Sequence, residues 1–287
     1  MRSSLLAAYK NGLQKLLDTG LIPRFRFLRS LNRMIISRLT PNRAEIMGHV
    51  MYLDPVDSLH ITRNNGVYEP LETSVVQGNV KPGDVVVDAG ANIGYYTLLL
   101  ARLVGPQGKV IAIEPDPDNF ALLKKNVEAN GYRNVTLIQK AISDGAGKVK
   151  LYRSIRSTAQ HSLAASGEND PYVEVDLGRL DDLVPDSINF MKIDVEGAEV
   201  GAMNGARELF ARSPHLKIMT EFNPRALDDF GVRPEDYLQL LSGYGFRFSN
   251  INKKTNQVHP ATVEQINAAC NLGNGSYTNL LCERVSS

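Results

Sequence analysis

The chain has no tryptophan, two cysteines and only 7% aromatic residues in 287 positions. Cys270 and Cys282 are too few for a disulfide framework and lack zinc-site spacing, so two buried thiols in a reducing cytosol are the expectation. No apolar run reaches the roughly 18 residues a membrane-spanning helix needs. Nor does an unbroken apolar core of about 7–15 residues with a small-residue cleavage site follow the first charges, so no secretory signal is expected. Internal repeats and low-complexity tracts are missing as well. What is there, 43% hydrophobic and 22% charged residues, is the composition of an ordinary globular chain and excludes a disordered, collagen-like or multispanning protein.

The net charge of +1 hides an asymmetry. Residues 1–43 hold nine Lys/Arg and one Asp, which leaves the rest of the chain at −7. A nucleic-acid reader carries its positive charge on the main domain, so a nucleic-acid partner is not expected. Residues 2–40 carry apolar positions at helical spacing interleaved with Arg24, Arg26, Arg29, Arg33 and Arg38. Such a basic amphipathic segment suits a cap on the domain, homo-oligomerisation through residues 1–43, or peripheral contact with an anionic membrane. Residues 1–50 are accordingly expected as a helical extension and 51–287 as the main domain.

From residue 84 onward strands and helices alternate. Strands are expected at 84–88, 109–113, 134–138, 188–193 and 216–222, with 246–251 and 278–285 as a final antiparallel hairpin. Helices are expected at 93–104, from Pro117 to just before Gly131, from after Ile193 to about Ala211, and at 235–242, with Asp116 as an N-cap. Two short extra strands, 148–152 and 172–175, flank a hydrophilic segment, 154–170, expected to be the most mobile loop. The pattern implies an α/β fold, a doubly wound and mostly parallel sheet with helices on both faces.

The first strand runs straight into Asp88-Ala-Gly90-Ala-Asn92-Ile-Gly94. Glycine at 90 allows a tight turn and close ligand approach, and the next helix aims its N-terminal N–H groups at the bound group. The spacing is Gly-x-x-x-Gly, not the Gly-x-Gly-x-x-Gly of dinucleotide sites. Asp88 would repel a pyrophosphate but attract a cation. Glu114 ends the second strand, where an acid commonly accepts hydrogen bonds from ribose hydroxyls. The pair calls for a nucleoside with a positive, amino-acid-like appendage, and S-adenosylmethionine answers that description.

Four blocks carry a resemblance: Asp88-Ala-Gly-Ala-Asn-Ile-Gly-Tyr-Tyr-Thr97, Ile113-Glu-Pro-Asp116, Lys140-Ala-Ile-Ser-Asp144 and Lys192-Ile-Asp-Val-Glu-Gly-Ala-Glu199. Together they resemble the FkbM-type methyltransferases, a class I branch of the S-adenosylmethionine-dependent enzymes, over residues 66–285. The resemblance implies a seven-stranded Rossmann-like sheet with a reversed last strand. It matches Asp88, Gly90, Asn92 and Gly94 to the cofactor turn and Glu114 to the ribose acid. Ala141, Ile142 and Asp144 match the region lining the adenine. Asp194 falls beside the reactive methyl, and Glu69, in Val-Tyr-Glu-Pro, resembles a Glu near the methionine end.

An alcohol acceptor must lose its proton as its oxygen attacks the methyl. Asp194 and Glu196 are the leading base candidates, then Glu221 and His161. Gly197 is expected to serve close helix packing and Glu199 to lie on a solvated helix face. No ligand spacing points to a metal. The Asp/Asn-Pro-Pro-aromatic signature of amino-group methylation is absent, so oxygen is favoured over nitrogen. The resemblance implies a small-molecule acceptor: a sugar, a glycolipid or other lipid-linked hydroxyl, or a natural product. N-methylation, cofactor binding without catalysis and nicotinamide chemistry are the competing functions. The expected location is the cytoplasm, with peripheral attachment to the inner membrane surface if residues 1–43 touch lipid.

Overall fold

The computed structural model describes residues 42–54, 67–153, 161–164 and 170–284. The chain divides into two compact units, Met1–Tyr68 and Glu69–Ser287. The helices expected over 2–40 and most of the loop expected at 154–170 lie outside the described residues. Among the described residues, no helix is long and apolar enough to cross a membrane.

In the first unit, β1 (Arg43–Ile46) and β2 (His49–Tyr52) form an antiparallel hairpin. Met47 and Gly48 both take positive φ, 50° and 78°, as a two-residue turn matched to strand twist requires.

The second unit begins with α1 (Pro70–Asn79), β3 (Val85–Ala89), α2 (Tyr95–Val104), β4 (Lys109–Ile113), α3 (Pro117–Ala129) and β5 (Val135–Ile138). Next come β6 (Ala141–Ile142), β7 (Gly147–Tyr152) and β8 (Tyr172–Gly178), a separate sheet ordered β6-β8-β7. They are followed by α4 (Leu180–Leu183), β9 (Phe190–Ile193), α5 (Glu199–Asn204), α6 (Arg207–Arg212) and β10 (Lys217–Phe222). Then come α7 (Pro224–Asp229), α8 (Pro234–Gly243), β11 (Phe246–Asn252), β12 (Gln257–Ala261), α9 (Val263–Ala269) and β13 (Thr278–Arg284).

The main sheet has eight strands in the order β12-β11-β13-β10-β9-β3-β4-β5. Pairs from β5 to β10 are parallel, and β13 runs antiparallel to both β10 and β11. The parallel strands are buried on both faces and read as near-continuous apolar runs, which is why they are legible in sequence. Alternation then assigns the faces. Val87, Ala89, Met191 and Ile193 pack against Ala202, Met203, Leu209, Phe210, Leu238 and Leu241 in one core. On the opposite face, α2 lies on β3 and β4.

The seven expected strands are present, and β12 adds an eighth at the edge, paired antiparallel with β11. Pro260 lies within it, and proline in a run argues against a strand except at a sheet edge, where no partner needs its missing N–H. The last two expected strands do pair antiparallel, but β12 and α9 intervene, so they are no simple hairpin. The helix expected to run through to Ala211 breaks at Gly205. There a Cβ would sit 2.2 Å from the Ser143 carbonyl oxygen, a contact only glycine permits. Helix α9 is an element beyond those expected; Thr262 and Gln265 form a capping box at its start, the local signal that marks it.

Phe210 is fully buried and meets the rings of Tyr244 and Phe246 edge-on at 4.9 and 5.8 Å. Phe210→Ala is expected to cost about 3–5 kcal/mol of unfolding free energy. Chemical denaturation measures it, and a loss below about 1 kcal/mol contradicts this packing.

Candidate active site

The sheet reverses its winding between β3 and β9, the switch point where open α/β sheets bind ligands. The turn leaving β3 is fixed from both sides. The N–H groups of Gly90 and Ala91 donate to the Ile113 carbonyl at the end of β4, at 2.9 and 3.0 Å. On the other side Asp194 N donates to the Ala89 carbonyl at 3.0 Å. Gly90 has φ 79°, and a Cβ there would stand 1.9 Å from the Asp194 carbonyl oxygen, so no side chain fits. Asn92 is left-handed at φ 50°, and its side-chain oxygen accepts from Ile93 N at 2.6 Å. Gly94, at φ 96°, caps the N-terminus of α2 with no side-chain hydrogen bond.

Two acids flank this turn. Glu114 is almost fully buried; one carboxylate oxygen accepts from Asn92 N at 2.8 Å and the other from Asp116 N at 2.9 Å. Burial pushes its pKa up to about 7, against the downward pull of those two N–H groups. The Asn119 side chain adds a third hydrogen bond, so of the roughly four acceptor sites of a carboxylate about one is left for a further donor. Asp88 has no exposure at all. One of its oxygens accepts from the Thr97 hydroxyl at 2.6 Å, and the other has no hydrogen-bond partner. Burial raises its pKa while the nearby Lys192 ammonium lowers it. Its carboxylate is closed off from solvent near the end of β3, in register with Lys192 of β9.

Lys192, not among the expected site residues, is the cation within this group of acids. Its registered neighbour in the sheet is Asp88, and it is only 8% exposed. Its ammonium donates to Asp194 Oδ2 at 3.2 Å and stands 5.2 Å from the centroid of the Tyr96 ring. Burial alone would lower its pKa, but the charges of Asp194, Asp88 and Glu69 outweigh that and push it up. A lysine inside the apolar strand Phe-Met-Lys-Ile was the available signal. Glu69, left-handed at φ 44°, accepts from the Tyr96 hydroxyl at 3.0 Å.

Beyond β9 and β10 the carboxylates gather. Asp194 is half-exposed. Burial and the charges of Asp194, Glu221 and Glu199 drive the pKa of Glu196 well up. Burial, Asp194 and Glu199 do the same to Glu221, which accepts from the Asn223 amide at 3.2 Å. Glu199, expected on a solvated face, is instead 3% exposed and accepts from Val195 N at 3.2 Å; burial lifts its pKa to about 7. Helix α5 starts with this residue turned inward because Gly197, at φ 99°, packs directly on α7: a Cβ would meet the Ala226 carbonyl at 2.4 Å.

His161 Nε2 stands 3.8 Å from an Asp116 carboxylate oxygen, while the next residue, Ser162, donates its hydroxyl to the Glu196 carbonyl at 3.2 Å. Asp116 caps α3 with one oxygen and holds Arg153 with the other, at 2.7 Å. Ala141 and Ile142 commit their side chains to two different cores, leaving only backbone for a ligand, while Asp144 is exposed. Among the described residues, no group of three or more His, Cys, Asp or Glu side chains is arranged to hold a metal ion.

A family model, the Methyltransferase FkbM domain, matches residues 88–248. The chain belongs to this family. It is a methyltransferase, and its methyl donor is S-adenosylmethionine. Methyltransferase sdnD of Sordaria araneosa is 28% identical over 202 residues, 58% of this chain and 75% of that protein. The 31-O-demethyl-FK506 methyltransferase FkbM of Streptomyces tacrolimicus is 27% identical over 200 residues, 58% of this chain and 74% of that one. A solved structure, Methyltransferase FkbM from Methylobacillus flagellatus KT, is 17% identical and matches 73% of this chain and 50% of its own, with a TM-score of 0.44. The site's own chemistry fits the donor. A turn stripped of side chains at Gly90, a buried acid with acceptor capacity left and an Asp88 oxygen without a hydrogen-bond partner among the described residues suit an adenosine carrying positive charge.

Gly90→Ala is expected to weaken S-adenosylhomocysteine binding at least about tenfold in calorimetry, with the helical circular dichroism retained; unchanged affinity would show that the turn tolerates a methyl. A second outcome follows from the raised carboxyls. Glu114, Glu196, Glu199 and Glu221 have folded-state pKa values above their unfolded ones, so the folded state binds more protons in that window. Stability is therefore greatest near pH 5 and falls as pH rises through about 7 and above. Melting of the ligand-free protein across pH 5 to 9 checks this, and a rising curve contradicts it.

Proposed function

We propose that this methyltransferase transfers the methyl to a hydroxyl oxygen of a small-molecule acceptor, a sugar, glycolipid or natural product. The observation carrying this reading is the cluster of proton-hungry carboxylates at the carboxyl ends of β9 and β10. The relative in Streptomyces tacrolimicus acts, by its name, on an oxygen of FK506, which agrees with it.

In this reading Gly90, Asn92 and Gly94 give the donor its backbone cradle. Glu114 accepts from the ribose hydroxyls, Ala141, Ile142 and Asp144 line the adenine, and Glu69 faces the amino-acid end. Asp88 favours a cation from beneath. S-adenosylmethionine, when bound, supplies a methyl already activated on positive sulfur. The chain's task is then to align the acceptor and remove its proton. Glu196 and Glu221 are held where burial and mutual repulsion raise their proton affinity, which suits a general base near neutral pH. Asp194, hydrogen-bonded to Lys192, stands beside them and orients the hydroxyl. His161, turned toward Asp116, helps seat the segment at 161–164 over this end of the sheet. In this reading the enzyme works in the cytoplasm, with the basic residues 1–43 serving either peripheral contact with the inner membrane surface or homo-oligomerisation.

Incubation with labelled donor and extracts, followed by mass spectrometry, tests the acceptor. An O-methyl ether is expected; an N-methyl product, or none, overturns the reading. Glu196→Gln and Glu221→Gln are each expected to lower kcat by about a hundredfold while leaving affinity for S-adenosylhomocysteine within about threefold. Full activity in both variants removes the carboxylate base.

A further inference from the structure

The edge strand β12 exceeds the seven-stranded pattern, and the turn that introduces it reaches the donor site. That turn, residues 252–256, is held by the Asn252 side-chain oxygen, which accepts from Lys254 N at 2.9 Å and Thr255 N at 3.1 Å. It presents Lys253. The Lys253 ammonium binds Glu69 Oε1 at 2.7 Å and Glu72 Oε1 at 3.1 Å, across 184 positions of sequence in the first case. Glu72 is buried and also accepts from the Asn279 amide on β13 at 2.9 Å, so the ammonium meets a fixed partner.

Glu69 is a non-glycine residue held in left-handed backbone, a strained state that persists only where its surroundings over-determine it. Three contacts do so. Its carbonyl accepts from Thr73 N at 2.8 Å in the first turn of α1, its Oε1 takes Lys253, and its Oε2 takes the Tyr96 hydroxyl. Tyr96 in turn lies against the Lys192 ammonium, which bonds Asp194 beside the Gly90 turn. The charge of Glu69 is felt at both Lys192 and Glu221. One end of this chain of contacts is the hairpin turn and the other is the switch point.

We propose that Lys253 is a positioning residue for the methyl donor: from the β11–β12 turn it fixes the Glu69 carboxylate, and through Tyr96 and Lys192 the wall of the pocket that receives the donor's amino-acid end. This rests on the placement of Glu69 at that end of the donor. It gives the added strand a task, delivery of one ammonium to the opposite side of the site. A brace that served only stability would change melting and leave the donor's KM alone. A positioning residue changes donor affinity and acts only while Glu69 keeps its charge.

Calorimetry with S-adenosylhomocysteine on the full chain separates these. Lys253→Met is expected to weaken binding about fivefold and to raise the donor KM in proportion, with kcat within about twofold of wild type. Lys253→Arg recovers most of the loss. The double variant with Glu69→Gln binds no more weakly than Glu69→Gln alone, because the two residues act through one contact. Lys253→Gln repeats the comparison at lower risk to folding. Wild-type affinity in Lys253→Met and Lys253→Gln, or losses that add in full with Glu69→Gln, overturns the proposal while wild-type binding leaves the donor reading standing. No heat from the wild-type chain overturns both.

Discussion

The backbone of Gly90 presses against the carbonyl of Asp194, and much else in the site depends on that contact. Two parallel strands end side by side, and the turn after one has no room for even a methyl group beside the other. The close approach sets the first strand's turn, exposes backbone to a ligand and brings Asp88 and Lys192 into register below it. Ile113 fixes the same turn from the far side by accepting two N–H groups with one carbonyl. The turn is thus main chain held between neighbouring strands, with charged side chains gathered around it.

That charge is unevenly balanced. The charge of Lys192 is shared among Asp194, Asp88, Glu69 and Glu196; Glu199 accepts from a backbone N–H and Glu221 from the Asn223 amide, and among the described residues no lysine is ion-paired with Glu196, Glu199 or Glu221. Burying carboxylates this way is costly, and a protein relieves the cost by keeping protons on or by admitting a cation. A sulfonium donor is such a cation. The same imbalance that makes the ligand-free site prefer protons makes it receptive to positive charge, and once methyl transfer has removed the positive charge on sulfur, the product loses part of that attraction.

Much of this was legible in sequence. The turn from Asp88 to Gly94, Glu114 at the end of its strand and the alternating strands and helices are local signals, and each is written within a few consecutive residues. The buried parallel strands are read easily because apolar side chains occupy both faces. What was not legible depends on distance or on context. Lys253 meets Glu69 only because an edge strand with a proline inside it folds back, and no local periodicity reports that meeting. Glu199 looks like a helix-surface residue until Gly197 lets α5 start against α7 and turns the carboxylate inward. His161 was a candidate on residue type alone, and its ring is directed to Asp116.

Asp116 serves two masters with one side chain. As a helix cap it could be exchanged for serine, threonine or asparagine with little penalty, since all of these accept from the first free N–H groups. The guanidinium of Arg153 adds a second demand: its Nε binds the other Asp116 oxygen at 2.7 Å while its Nη1 binds the exposed Asp118 at 3.0 Å, so a neutral residue at 116 would remove the buried one of these two counterions. The cap of α3 alone leaves several residues open at this position, and the cation that follows β7 narrows them toward a carboxylate.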